Sequence, residues 1–336
     1  MSADSRHKVS TAELELSVVC PMYNEGEKIA ASLRKLVGKV AEFSRSWEIV
    51  LVNDGSTDNS YTEAMSVAST EPRIHLVTYQ QNRGRGYALR RGFEVARGRY
   101  IVTTESDLTW GEDIIERMVT HLKSGDLDLV VASPHLEGGR LENVPPQRVF
   151  LTRVGNALLR KMMPGNLSMN TGMTRAYRRE VIEALDLAQD GKEIHLEIIA
   201  KAHALGFRMG EVPAVLRWEP SRRTRKSSFR PGRLIRSHLM FGFNEYPLFL
   251  FGTFAAGCAL LGIALGLYLF YVSWSGRPVA GRPALFLTVL LILIGILSLL
   301  FCFLSLQIRD LRRIIYRVQR DVRTHDHSGD RKEAER

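Results

Sequence analysis

Val52-Asn53-Asp54-Gly55-Ser56-Thr57-Asp58 is the stretch that decides the fold. The apolar run Trp47–Val52 leading into it reads as a strand, and Asn53-Asp54-Gly55-Ser56 reads as the turn that stops it. Gly55 permits a tight turn, and Ser56 or Thr57 can cap a helix through Asp58–Ser69. The flanking sequence repeats this arrangement. Glu15–Cys20 is a short apolar strand ending at Pro21, after which Ile29, Leu33, Leu36, Val37 and Val40 recur at helical spacing. Downstream, strands at Ile74–Tyr79, Tyr100–Thr104 and Leu127–Ala132 alternate with helices at Tyr87–Ala96 and Ile114–Leu122. This alternation predicts an α/β domain with a parallel sheet and helices on both faces. Such sheets bind ligands at the carboxyl ends of their strands, and those ends carry Pro21–Glu25, Asn53–Asp58 and Glu105–Asp107. Beyond them, Val149–Met162 reads as a helix, Asn166–Tyr177 as loop and strand, Glu193–Leu205 as a helix and Phe207–Arg217 as a strand.

The remainder of the chain has a different character. Tyr246–Gly276 and Pro283–Ile308 contain no charged residue, and each is long enough to supply the roughly 20 apolar positions of a membrane helix. The net charge of +10 is uneven: Ser221–His238 holds seven basic residues and no acid, and a mostly basic block, Arg309 to Arg323, follows the second run. Basic residues favour the cytoplasmic side. The expected arrangement is therefore a multi-pass protein of the cytoplasmic (inner) membrane, with both termini and the large domain cytoplasmic and the Ser275–Pro283 hairpin outside. Gly232–Asn244 suits either an amphipathic helix at the membrane interface or a packed helix closing the domain. The basic blocks read as topology signals, as attraction to anionic headgroups, and as phosphate ligands. Nucleic acid is excluded as a partner, because the patch abuts a membrane span and no nucleic-acid motif accompanies it. Cys20, Cys258 and Cys302 have no spacing that suggests a disulfide framework or a zinc site, which fits a reducing compartment. With 45% hydrophobic and 24% charged residues the chain is neither disordered nor fibrous. Met1–Ala12 reads as a flexible leader, and the charged tail His325–Arg336 as disordered.

Three motifs carry the chemistry. Glu105-Ser106-Asp107 sets two carboxylates at alternating positions just past a strand, where their oxygens can converge on one Mg²⁺ or Mn²⁺ that carries a diphosphate. Two nearby acids that simply face solvent are the plainer reading of the triplet. Asp54 at its turn can hydrogen-bond a ribose or a base, or the segment is a simple capped turn. In Asn82-Arg83-Gly84-Arg85-Gly86-Tyr87-Ala88 a glycine-rich turn enters a helix, which lets backbone approach a phosphate. A plain loop with two basic residues is the alternative.

Taken together and in this order, Val18–Glu25, Val52–Asp58, Asn82–Leu89 and Glu105-Ser106-Asp107 resemble the family-2 inverting glycosyltransferases of the GT-A fold. The layout is most similar to the polyprenyl-phosphate branch, that of dolichol-phosphate mannose synthases and bacterial relatives with two C-terminal membrane helices. The resemblance spans residues 14–245 at motif level. It implies a GT-A, Rossmann-like nucleotide-diphospho-sugar transferase domain, then an interfacial helix and two transmembrane helices. The expected divisions are a leader at 1–13, a catalytic domain at 14–220, a basic loop and juxtamembrane helix at 221–246, a membrane hairpin at 247–308 and a basic tail at 309–336. The donor implied is a GDP- or UDP-sugar, and the acceptor a polyprenyl phosphate in the membrane. A homo-oligomer is compatible with this, since two short spans could carry a lipid only within an assembly.

Residue by residue, the resemblance gives Pro21, Tyr23, Glu25 and Asp54 to the nucleoside, beside Arg83 and Gly84 of the turn. Glu105 and Asp107 match the metal-binding acid pair. Arg148 matches an acceptor-side arginine, and Arg175 and Lys226 join it at the acceptor phosphate. Arg222 and Ser227 match the ends of a basic loop that closes over the diphosphate, so Asp107, Arg222 and Ser227 are the catalytic candidates. The chain departs from the family pattern in several places. Glu105 replaces the usual Asp, Ala132-Ser133-Pro134-His135 replaces a Gly-Ser-Arg, and Asn170 stands where an Asp is common. In the basic loop, Arg225 replaces a glycine and Ser228 a lysine. Two rival functions follow: transfer to a hydroxyl acceptor, with Asp107, Glu197 or His195 as base, and a catalytically decayed membrane scaffold.

Overall fold

In the computed structural model the chain is described over residues 14–106, 109–111, 113–146, 149, 156, 165, 167–217, 247–279 and 283–334. It forms two compact units, Met1–Lys226 and Ser227–Arg336.

The first unit opens with β1 (Leu16–Met22), α1 (Lys28–Phe43), β2 (Trp47–Asp54), α2 (Ser60–Ala68), β3 (Ile74–Tyr79), α3 (Arg85–Val95), β4 (Tyr100–Thr103), α4 (Ile114–Lys123) and β5 (Leu129–Ser133). Then come β6 (Arg140–Glu142), β7 (Arg175–Arg178), α5 (Arg179–Ala184), α6 (Ile194–Ala204), β8 (Met209–Pro213) and β9 (Val215–Arg217). Seven strands form one sheet in the order β3-β2-β1-β4-β7-β5-β8, and β6 pairs with β9 apart from it. Every residue of β2 is buried, so both faces of the sheet are covered there. The cover comes from amphipathic helices: Ile29, Leu33, Leu36 and Val40 of α1, and Ile114, Ile115, Met118, Val119 and Leu122 of α4, are buried at helical spacing.

The sheet is mixed, and this corrects the expectation of a purely parallel one. β7 runs antiparallel between β4 and β5, while the other pairs are parallel. The strand itself fits the loop and strand expected at Asn166–Tyr177, but four residues with arginine at both ends do not announce a direction. The stretch expected as one strand at Phe207–Arg217 is two, separated by Ala214, because β8 pairs with β5 whereas β9 pairs with β6. β1 passes through Pro21 to Met22 rather than ending there. On its β4 side the register stops at Val19, so the missing N–H of Pro21 lacks no ladder partner there. Of the helix expected at Val149–Met162, only 149 and 156 are described, both helical; the one expected at Gly232–Asn244 lies outside the described residues.

A buried acid clamps the opposite edge of these strands. Glu48 is only 1% exposed. Its carboxylate accepts from Ser17 Oγ at 2.6 Å, Arg97 N–H at 2.6 Å, and Arg97 Nε and Nη2 at 3.0 and 2.9 Å. Burial pushes this carboxyl up, but the Ser17 and Arg97 hydrogen bonds outweigh it and hold the group below its usual range. A depressed folded-state pKa contributes stability that is full above the ordinary carboxylate range and lost as pH falls through the folded value. Glu48→Gln is therefore expected to cost about 2–3 kcal/mol at pH 7. Thermal melts should show the gap to the wild type closing as pH drops below about 4.

The second unit consists of α7 (Pro247–Trp274) and α8 (Pro283–Ala334). Phe251–Trp274 and Pro283–Ile308 are long and apolar enough to cross a membrane. The helices pack closely through small residues: a Cβ on Gly295 would lie 3.4 Å from the Ala255 carbonyl, and one on Gly262 would lie 3.1 Å from Ile292. Leu260, Leu267, Phe270, Phe286 and Leu293 point outward, a surface suited to lipid. The tail expected to be disordered from His325 is instead the continuation of α8 to Ala334, and no proline interrupts the chain after Pro283.

Candidate functional site

The carboxyl ends of β1, β2 and β4 lie side by side, since β1 pairs with both of the others in parallel. The loops leaving them are knitted to one another. Asn24, at φ 51°, donates its N–H to Ser56 Oγ at 3.0 Å, and its Oδ1 accepts from Thr57 N–H at 2.8 Å. The Gly26 N–H donates to Ser60 Oγ at 2.8 Å and to Asp58 Oδ2 at 3.0 Å. Pro21 and Glu25 are partly exposed on this crest, and Tyr23 is exposed.

Asp54 ends β2 and is 4% exposed. Its Oδ1 accepts from Tyr79 Oη at 2.9 Å and from the Arg83 N–H at 2.8 Å, and its Oδ2 accepts from the Gly84 N–H at 3.0 Å. Burial and the neighbouring Asp54 carboxylate push the Tyr79 hydroxyl well up, so it stays a donor. The glycine-rich turn thus wraps its backbone around an anion, and that anion is the chain's own carboxylate. Further along the turn, the Gly86 and Tyr87 N–H groups donate to the Asp190 carbonyl at 2.7 and 3.2 Å, which caps α3. The N–H groups offered to a phosphate in the sequence reading therefore have partners within the fold. Oδ2 of Asp54 retains acceptor capacity, since a carboxylate has about four lone-pair sites. Gly55, at φ 64°, allows this close approach: a Cβ there would lie 2.5 Å from Asn82 N.

Side chains of the turn extend the cluster. The Arg83 guanidinium stacks 3.7 Å over the Tyr87 ring, and Arg90 pairs with the Asp190 carboxylate. Arg85 Nη2 reaches Glu105 Oε1 at 3.7 Å, and Thr109 Oγ1 donates to Glu105 Oε2 at 3.0 Å. Three consecutive residues, Arg83, Gly84 and Arg85, so connect Asp54 to Glu105. Glu105 offers the hard oxygens that a divalent cation takes, and its proposed partner Asp107 lies outside the described residues. Among the described residues no group of three or more acids, histidines or cysteines could hold a metal by itself. Arg148, Arg222, Lys226 and Ser227 also lie outside the described residues.

Arg175 is brought elsewhere. It is fully buried, with Nε on the Gly172 carbonyl at 2.8 Å, Nη1 on that of His195 at 2.7 Å and Nη2 on that of Asn170 at 2.7 Å. This corrects its expected place at an acceptor phosphate, because all three nitrogens of the guanidinium are committed to backbone. Asn170 is likewise fully buried and donates Nδ2 to the Leu167 carbonyl at 3.1 Å. Of the bases considered for a hydroxyl acceptor, Glu197 is held by Lys201 Nζ at 2.7 Å and by the Ala188 and Gln189 N–H groups at 3.0 Å each. His195 is buried, and desolvation, reinforced by Arg175, Arg85 and Lys192, holds its pKa well below the usual value. It is neutral at pH 7 and a weak base.

The 186–191 segment was not singled out from sequence. It contributes the Asp190 carbonyl, which any residue type supplies, and the Asp190 carboxylate, which pairs with Arg90.

Residues 17–186 match the family described as Glycosyl transferase family 2. Among curated proteins, the glycosyltransferase AglD of Haloferax volcanii is 31% identical over 63% of this chain and 34% of its own length. The dodecaprenyl-phosphate galacturonate synthase of Rhizobium johnstonii is 28% identical over 83% of each chain. The polyprenol monophosphomannose synthase of Mycolicibacterium smegmatis is 32% identical over 58% of this chain and 75% of its own. The chain thus spans about a third of the archaeal relative and most of the two bacterial ones.

Proposed function

This chain belongs to glycosyltransferase family 2, and from that premise we propose that it moves a hexose from a nucleotide-diphosphate sugar to a polyprenyl phosphate at the cytoplasmic face of the membrane. The observation that carries the reading is the turn that joins Asp54 to Glu105 on one crest of the sheet, which supports assigning the first acid to the nucleoside and the second to the diphosphate. The names of the bacterial relatives support the acceptor class, and the two apolar helices support a membrane-borne lipid substrate.

Pro21, Tyr23, Glu25 and Asp54 hold the nucleoside in this reading. A Mg²⁺ or Mn²⁺ held by Glu105 and Asp107 would neutralise charge on the departing nucleoside diphosphate. Arg222, Lys226 and Ser227 would bring counter-charge and hydrogen bonds to the phosphates, and Arg148 is assigned to the acceptor. An acceptor phosphate oxygen attacks the anomeric carbon and inverts it. The glycosidic bond to the nucleoside diphosphate breaks, and its electron pair leaves with that group. The acceptor is already ionised near neutral pH, so alignment and counter-charge replace a strong base. This agrees with Asn170, which cannot be one, and with the committed state of Glu197 and the weak basicity of His195. A hydroxyl acceptor would need a base, and with Glu197 committed and His195 weakly basic that role would fall to Asp107 alone. Calorimetric titration with GDP and UDP is the test. One of the two should bind, and EDTA should weaken it about tenfold or more. Equal affinity with and without EDTA would remove the metal from the proposal, and no binding of either would remove the donor.

A further inference from the structure

Glu197 lies on α6, and its carboxylate is buried against the strap that precedes this helix. It accepts the N–H groups of Ala188 and Gln189 and pairs with Lys201 one turn on, in the Glu-before-Lys orientation that helices favour. Lys201 in turn donates to the Asp186 carbonyl, so the strap is fixed at three points in four residues. The next residue, Asp190, points its carbonyl at the Gly86 and Tyr87 N–H groups. Gly84 passes so close that a Cβ on it would lie 2.7 Å from that carbonyl oxygen. One residue before, the Arg83 and Gly84 N–H groups hold Asp54. The contact chain is continuous, from Glu197 to the strap, from the strap to the turn, and from the turn to Asp54.

We infer that Glu197 is a positioning residue that fixes the carboxylate of Asp54 for the donor nucleotide, acting through the 188–190 strap and the Arg83–Gly84 turn. This rests on the reading of Asp54 as a nucleoside ligand. Neither N–H of the turn can move without altering Asp54, and the carbonyl of Asp190 is held by two anchors, the clamp on the two residues before it and the pairing of its own carboxylate with Arg90. Glu197 has no part in acceptor binding in this account, so its loss is felt on the donor side only.

The test uses the full chain in detergent, with GDP and UDP as probes by calorimetry and undecaprenyl phosphate as acceptor in the transfer reaction. Glu197→Ala should weaken the nucleoside diphosphate that the wild type binds by about tenfold, and Glu197→Gln, which keeps one acceptor oxygen and loses the ion pair, by about threefold. The KM for undecaprenyl phosphate should stay within twofold of the wild type in both. Asp54→Asn should also weaken the nucleotide, and Asp54→Asn with Glu197→Gln should bind no more than twofold worse than Asp54→Asn alone, because both act through one carboxylate. If the alanine variant does not fold, the glutamine variant decides. A lowered melting temperature with unchanged nucleotide affinity in Glu197→Gln would overturn the inference and leave Glu197 purely structural. Additive losses in the double variant would overturn it as well. An Asp54→Asn variant with wild-type nucleotide affinity would instead overturn the reading of Asp54 itself.

Discussion

Asp107→Ala is expected to cripple sugar transfer, with a loss of about 10²–10³-fold, while the protein still folds and inserts. The magnitude follows from the place of the acid pair. Charge develops on the leaving diphosphate, and removing a group that stabilises such charge in a water-poor site typically costs about 10²–10³ in rate. Glu105 supplies only one of the two carboxylates in this proposal. Its carboxylate already carries Arg85 at 3.7 Å and the Thr109 hydroxyl at 3.0 Å, so it stands as one half of a pair. The check is initial transfer rate against metal concentration for the wild type, Asp107→Ala and Glu105→Gln. Asp107→Ala should not be rescued by saturating Mn²⁺, whereas Glu105→Gln should lose less. More than a tenth of wild-type activity in Asp107→Ala would mean that the diphosphate is neutralised by other groups.

Arg175→Met should fail at the level of folding. The side chain bridges the 170–172 loop and the start of α6 through three carbonyls. Methionine fills a similar volume but takes the donor from the loop carbonyls of Asn170 and Gly172, at roughly 1–3 kcal/mol each, while the His195 carbonyl keeps its bond in the α6 ladder. A net loss of about 4 kcal/mol is expected, equivalent to a melting temperature lower by roughly 10 °C for a domain of this size. Arg175→Lys should recover little of it, because an ammonium on a flexible stem lacks the planar fork that reaches three carbonyls at once. Melting curves and the acceptor KM separate the two roles this arginine has been given. A buried bracket lowers the melting temperature, and a phosphate ligand would raise the KM for the lipid at unchanged stability.

Much of the fold is legible because apolar periodicity and turn residues agree along the first 133 residues. Ile74–Tyr79 is a strand from both sequence and structure, and the acids at the ends of β2 and β4 stand where ligands of an α/β sheet gather. The strand at β7 is legible but its antiparallel place in the sheet is not, because that depends on where a long excursion returns and not on its own four residues. Arg175 misled for a related reason. An arginine just after the Asn170-Thr171-Gly172 loop reads the same whether it faces a phosphate or three buried carbonyls, and only burial tells them apart. At the site, Asp54 and the glycine-rich turn were each singled out, but not their bond to one another, which joins residues about thirty apart. The strap at 188–190 meets the turn through the Asp190 backbone carbonyl, which no residue type marks, and the Asp190 carboxylate pairs with an arginine 100 residues away in sequence. Glu197 was legible only as an acid on a helix.

The most direct test of the central claim is transfer from a panel of labelled GDP- and UDP-sugars to undecaprenyl phosphate by the purified chain in detergent, with and without Mg²⁺ or Mn²⁺. The account predicts a metal-dependent, acid-labile glycolipid from at least one donor, strongly reduced in Asp107→Ala. A chain that binds the nucleotide yet labels only hydroxyl-bearing acceptors, with nothing on the lipid phosphate, would contradict it.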